Sequence, residues 1–186
     1  MGFKAKESLS EQIAQHLAQQ IIHGDMLAGD RIQELRVAGE LDVSRGSVRE
    51  ALLILQRRQL IDILPRRGAV VKEMSETHVR NLYEVMQVLL GLVIRKAIKV
   101  VREEDMDSFI ELVHGLQVEA EERDYDAFFT LSFRFLEHLY PFARNVFVED
   151  VLINMQPAMQ RAYFMALHLE PDEICLLYTS DAADEV

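Results

Sequence analysis

The feature that most constrains this chain is a three-residue connection, Asp42-Val43-Ser44, between two stretches with helical apolar spacing. Roughly Gln33–Leu41 reads as a short helix. Ser44 is a good N-cap for a longer one, from Arg45 to about Gln59. On that longer stretch Val48, Ala51, Leu52 and Leu55 fall on one face, which must be buried. Upstream, Ser8-Leu9-Ser10-Glu11 has the form of a capping box, with Glu11 reaching back. Ile13, Leu17 and Ile21 then recur at helical spacing, and Gly24 supplies a stop. Met26 to Asp30 reads as a turn. Downstream come Leu60–Leu64, a Pro65-Arg66-Arg67-Gly68 turn and Ala69–Val71, a short hairpin with a basic tip. Helix, helix, tight turn, helix and basic hairpin together predict a winged helix-turn-helix.

That layout favours DNA as a partner. The N-terminus of the third helix offers free N–H groups and a partial positive charge. Arg45, Ser47 and Arg49 project from its first turns, toward base edges or phosphates. Arginine is the side chain best shaped for bidentate contact with guanine in the major groove. Arg66 and Arg67 at the hairpin tip suit a minor groove or the phosphate backbone. Two surface arginines alone would also fit a solvated helix with no function, so the weight rests on the combination of turn, caps and wing.

Charge supports a division of labour. Residues 1–72 carry 11 Lys+Arg and 9 Asp+Glu, a net of +2, which leaves 9 and 22, a net of −13, for residues 73–186. The first part therefore suits contact with a polyanion and the second does not.

The run Asp42-Val43-Ser44-Arg45-Gly46-Ser47-Val48-Arg49-Glu50-Ala51-Leu52, then Leu55 and Arg66-Arg67-Gly68-Ala69-Val70-Val71, resembles the signature of GntR-family transcription regulators. Ile22 to Ile32 is similar to that family's loop between the first two helices. The resemblance implies a homodimer on double-stranded DNA carrying a short inverted-repeat operator. It implies base and phosphate contacts from Arg45, Ser47 and Arg49, with Gly68 of the wing near the minor groove. Where some members carry an arginine on the second helix, this chain has Leu35, with Arg36 beside it. The candidate DNA-contacting residues are thus Arg36, Arg45, Gly46, Ser47, Arg49, Arg66, Arg67 and Gly68.

Beyond the hairpin the pattern is helical throughout. Ser75 to about Val101 reads as one helix, Arg102 to about Glu121 as a second, and a third, capped by Asp124 or Asp126, runs to about Tyr140. A fourth spans Val146 to about Leu167, with a kink expected near Pro157. The fold class is mainly α: a winged helix-turn-helix with a small β-hairpin wing, followed by an all-α bundle. This order, with Leu82-Tyr83-Glu84-Val85 and the Asn145 turn, resembles the FCD branch of the GntR family. That resemblance implies a small organic-acid effector bound in the bundle, and often a divalent metal. The branch's metal pair falls here at Ser132 and Leu136, neither of which offers carboxylate or imidazole. No metal or other cofactor is therefore predicted. His138, two residues on, points elsewhere on the helix and reads as a surface or interhelix histidine.

Other classes find little support. A single cysteine excludes a disulfide framework and a multi-cysteine zinc site. There is no Gly-rich phosphate loop, nucleophile elbow or metal-ligand spacing, so an enzyme is not expected. Met1 to Gln12 lacks the apolar run of a signal peptide, and Leu82–Ile94 is too short to span a bilayer, so no membrane role is expected and the cytoplasm is the expected compartment. A helical module whose winged helix contacts protein instead of DNA is the competing function.

The helical pattern stops at Cys175-Leu176-Leu177-Tyr178-Thr179-Ser180-Asp181-Ala182-Ala183-Asp184-Glu185. The common transposase sequencing adapter, read as codons, encodes this string. The expected organisation is a DNA-binding domain over 1–73, a truncated effector-binding and dimerisation domain over 74–174, and adapter read-through over 175–186. An incomplete bundle is expected to leave apolar surface of the fourth helix uncovered.

Overall fold

The structure is a computed structural model that describes residues 8–169. The stretch from Cys175, expected to be adapter-derived, lies outside the described residues. The described chain divides into two compact units. One comprises residues 8–79 with 154–161, the other residues 80–153 with 162–169.

In the first unit α1 (Leu9–Ile22), β1 (Arg31–Ile32), α2 (Glu34–Glu40), α3 (Arg45–Arg57), β2 (Ile61–Leu64) and β3 (Gly68–Val71) follow in order. The apolar face of α1, with Ile13, Ala14, Leu17 and Ile21, packs on that of α3, with Val48, Ala51, Leu52 and Leu55. Leu55 and Val48 are fully buried. Complete burial of such a side chain contributes about 1.5–3 kcal/mol, so this seam is the core that holds α3 in place.

Both ends of the tight turn have a physical cause. Asp42 adopts φ 52 directly after α2, and the Val43 N–H donates to the Ala38 carbonyl at 3.0 Å, which closes the helix and reverses the chain. Ser44 then caps α3: its Oγ accepts from the Ser47 N–H at 3.0 Å. At the far end of α3, Gln59 takes φ 59 and the Leu60 N–H reaches the Leu55 carbonyl at 3.1 Å, so α3 stops and β2 begins.

The sheet differs from the expected hairpin. It has three antiparallel strands in the order β1-β3-β2, with Ile32 opposite Ala69 and Leu64 opposite Gly68. The additional strand is only two residues long, too short to show alternation in sequence. It is stitched on by main-chain bonds from Gly29 N–H to the Val71 carbonyl and from Val71 N–H to the Asp30 carbonyl, both 2.9 Å. The expected capping box at α1 is also only half formed. Ser8 Oγ accepts from the Glu11 N–H at 3.1 Å, but the Glu11 carboxylate pairs with Arg58. A cation at the end of α3 outcompetes a backbone amide for that carboxylate.

In the second unit lie α4 (Glu76–Ala97, whose first residues belong to the first unit), α5 (Glu103–Glu122), α6 (Tyr125–Leu139), a 3-10 turn (Tyr140–Ala143) and parts of α7 (Val146–Leu169). Helix α4 ends about a turn earlier than its periodicity predicts, in a run of tight turns from Ile98. Arg123, at φ 58, turns α5 into α6, and of the two candidate caps it is Asp124 that accepts from the Ala127 N–H, at 2.9 Å. Gly115 allows the two helices to approach closely, since a Cβ there would meet Leu131 Cδ1 at 3.1 Å. Helix α7 carries Pro157 in its interior as one continuous element. Phe147 and Val146 at its start are 81% and 71% exposed, so this helix presents apolar surface to solvent.

Candidate nucleic-acid interface

The open end of α3 gathers the residues expected to contact DNA. With Ser47 N–H capped by Ser44, the N–H groups of Arg45 and Gly46 remain at the front of the helix. Ser47 Oγ lies 2.9 Å from Ser44 Oγ, so this hydroxyl is held at the helix entrance. Gly46 has no side chain to keep a phosphate away from those amides. Arg45 and Arg49 stand one turn apart, with side chains 58% and 64% exposed.

These two arginines are not free in solution. Both turn toward Glu34 at the start of α2. Arg49 Nη2 donates to Glu34 Oε2 at 3.1 Å and its Nε lies 3.5 Å from Oε1, while Arg45 Nη2 stands 3.8 Å from Oε2. The hydrogen bond to Glu34, and then its charge, raise the Arg49 pKa. Glu34 is a residue that sequence reasoning passes over, because an acidic residue in the first turn of a helix already has a reason to be there. Its position makes it the shared counter-ion of both arginines.

Arg36 is spent on its own helix. Its Nε donates to Glu40 Oε1 at 2.7 Å, a bond that raises its pKa, and it does not join the Arg45–Arg49 pair.

The wing tip is built on strained backbone. The Arg67 N–H donates to the Leu64 carbonyl at 3.2 Å across Pro65 and Arg66, and Arg66 adopts φ 63. Proline second and a left-handed third residue are the signature of a type II turn, where glycine is the usual occupant. An arginine in that position carries a backbone cost that glycine would not. Gly68 follows at φ 76, and a Cβ on it would lie 3.9 Å from the Arg31 guanidinium. Arg31 thus adds a cation beside the wing that sequence reasoning did not single out. Arg58, by contrast, belongs to the core margin through Glu11.

In the helical unit the metal expected of the family finds no fit. Ser132 donates its hydroxyl to the Phe128 carbonyl at 2.8 Å, and Leu136 offers no donor atom. Among the described residues no three His, Cys, Asp or Glu side chains come together as a metal site. His138 is an interhelix residue: its Nε2 lies 2.8 Å from Ser108 Oγ, and its ring meets Phe109 edge-on with centroids 4.7 Å apart. Ser108 donates its one hydroxyl proton to the Asp105 carbonyl at 2.9 Å, so His138 Nε2 is the donor between them. Among the described residues no helix is long and apolar enough to cross a membrane.

Comparison with known proteins settles the class. Residues 9–71 match the family described as bacterial regulatory proteins, gntR family, and residues 81–175 match the FCD domain. The chain belongs to the GntR family, in its FCD branch. It is a DNA-binding transcription regulator. The HTH-type transcriptional repressor RspR of Escherichia coli is 29% identical over 171 residues, 91% of this chain and 75% of that protein. The gluconate operon transcriptional repressor of Bacillus subtilis is 26% identical over 169 residues, 91% of this chain and 69% of that protein. Among solved structures the fold is similar to E. coli McbR/YncC, with a TM-score of 0.66 and 22% identity, covering 91% of this chain and 84% of that one. It is similar also to a GntR transcriptional regulator from a Rhodococcus species, with a TM-score of 0.65 and 20% identity, covering 84% and 74%.

Proposed function

We propose that this GntR regulator is a repressor that reads an inverted-repeat operator as a homodimer and changes its DNA affinity on binding a small organic acid. The observation that carries the reading is the array at the front of α3: Arg45 and Arg49 converging on Glu34 beside open main-chain amides. Such an array exchanges one carboxylate for phosphates or guanine edges without rebuilding the fold. Arg45, Gly46, Ser47 and Arg49 read the major groove. Arg66, Arg67 and Gly68 bring the wing to the backbone or minor groove, and Arg36 lies at the margin.

The name of the B. subtilis relative ties it to an operon for gluconate, an organic acid, which supports that effector class. In the helical unit the Tyr140 hydroxyl is buried and has no hydrogen-bond partner among the described residues, so it is a donor that a polar ligand would satisfy. Exposed apolar residues on α4, Val85, Val88 and Ile94 among them, supply surface for pairing with a second copy. The effector acts only to the extent that it prefers one dimer geometry over another.

The test is selection of duplexes from a random pool by the full chain, followed by fluorescence anisotropy against salt. The expected product is an inverted repeat bound with steep salt dependence, and bound weakly by Arg45→Ala and Arg49→Ala. Recovery of no enriched sequence, or enrichment indifferent to both substitutions, would refute the reading and favour a protein-contacting module.

A further inference from the structure

Lys72, the residue after β3, is a junction of the first unit. Its N–H donates to the Leu60 carbonyl at 3.0 Å, and its Nζ reaches Gln59 Oε1 at 2.7 Å and Asp62 Oδ1 at 3.3 Å. The Leu60 N–H in turn closes the C-terminal end of α3 on Leu55. The last strand of the wing, its first strand and the end of the reading helix are therefore tied at one residue.

The carbonyl of Lys72 has a partner 89 residues away in sequence: Arg161 Nη1 donates to it at 2.6 Å. Arg161 lies on the 154–161 segment of α7, which belongs to the same unit. It is 4% exposed, and among the described residues no carboxylate pairs with it. Burial lowers its pKa, the mark of a guanidinium stripped of water. A buried cation held by a main-chain dipole is costly, and a methionine or leucine would fill the space without that cost. The contact with the Lys72 carbonyl, and not packing, is what a guanidinium adds at this position.

We infer that Arg161 is a positioning residue for DNA reading, fixing the wing against the end of α3 through the Lys72 carbonyl. It touches no DNA. It sets where Arg66 and Arg67 lie relative to Arg45 and Arg49, and so links a helix outside the winged helix-turn-helix sequence to the geometry of the reading surface. The inference rests on the DNA-binding role of the wing.

The test uses the full chain and the duplex recovered by selection. Arg161→Met should weaken binding about tenfold, the size of one charge-assisted hydrogen bond. In an Arg66→Ala/Arg67→Ala background the same change should cost less than about twofold, because the wing contact it positions is already gone, whereas with Arg45→Ala the losses should multiply. Amide exchange at Val71 and Lys72 should quicken, and Arg161→Lys, which keeps one donor, should restore part of both. Unchanged affinity in Arg161→Met, or a loss that multiplies with the wing-tip substitutions, overturns the inference. If Arg161→Met does not fold, Arg161→Lys decides: wild-type affinity together with wild-type exchange at residues 71 and 72 overturns it. A wild type that enriches no duplex sinks the functional reading; a wild type and an Arg161→Met that bind equally sink only this one.

Discussion

Replacing Glu34 by Gln should tighten the binding of DNA in general while eroding its selectivity. The Glu34 carboxylate stands 3.1 Å from Arg49 and 3.8 Å from Arg45, and its side chain is 30% exposed. Any duplex that engages those guanidiniums must first displace or share this charge. Glutamine keeps the shape and removes the competitor, which is equivalent to one more phosphate neutralised on binding. The salt slope should then steepen by about 0.9, so a fourfold dilution of salt should raise affinity for a random duplex about 3.5-fold more than in wild type. Selectivity should move the other way. The bidentate grip of Glu34 on Arg49 holds the guanidinium in one direction, and without it the ordering cost falls on the moment of binding. The ratio of selected to random duplex affinity should therefore fall. Anisotropy titrations of both duplexes between 50 and 200 mM KCl read both quantities, and a thermal melt checks the fold, which an exposed ion pair supports only slightly. An unchanged slope, or a ratio that rises, would show that Glu34 is a bystander. Combining Glu34→Gln with Arg49→Ala gives the internal control, since a carboxylate acting through that arginine should lose most of its effect once the arginine is gone.

Three further outcomes follow from the same contacts. Arg66→Gly relieves a left-handed arginine and should stabilise the chain by about 1 kcal/mol in denaturant titration, while weakening operator binding. Ser44→Ala removes the acceptor for the Ser47 N–H and should lower stability by about 1 kcal/mol, with a matching loss of operator affinity as the first turn of α3 frays. Tyr140→Phe deletes a buried hydroxyl without a partner among the described residues, so stability should hold or rise while any response to an organic-acid effector is lost. Burial, and secondarily the charge of Glu137, raise the Tyr140 pKa above its ordinary value of 10.0. Folding therefore favours the neutral phenol. Its contribution is complete below about pH 10, where the unfolded tyrosine begins to ionise, and is lost as pH rises further. Alkaline melts should show that loss in wild type and less of it in Tyr140→Phe.

What was legible in the sequence was what repeats or caps. The α1 and α3 faces carry enough apolar residues at helical spacing to declare themselves, and Ser8, Ser44 and Asp124 mark helix starts because a side-chain oxygen there meets an orphan N–H. The wing declared itself through Pro65 and Gly68. Strand β1 did not, because two residues held by main-chain bonds leave no side-chain pattern. The half-formed box at Ser8 shows a second kind of failure. The motif was present, but Arg58, far along the chain, took the carboxylate. Glu34 and Arg161 escaped for the same reason. Each has an ordinary local meaning, as a helix-start acid or a polar residue on a long helix, and acquires another only when the fold brings its partner near.

Those long-range pairings bear on how an acidic protein reads an acidic polymer. The chain carries a net charge of −11, and only its first 72 residues are positive, at 11 − 9 = +2. A surplus that small cannot hold DNA by bulk attraction at physiological salt, where fields fade over about 8 Å. Affinity must come from a few cations placed within contact distance of phosphates and bases. Placement then outweighs number, and residues that do no more than hold an arginine still gain leverage over binding. Glu34 holds Arg49 and Arg45 at the front of α3, and Lys72 with Arg161 holds the wing that carries Arg66 and Arg67. A chain richer in lysine could lose either device and still bind DNA, at the expense of selectivity. In this one each loss should show directly in a binding assay, Glu34→Gln as general affinity gained at the expense of selectivity and Arg161→Lys as weaker operator binding, although neither residue is expected to touch DNA.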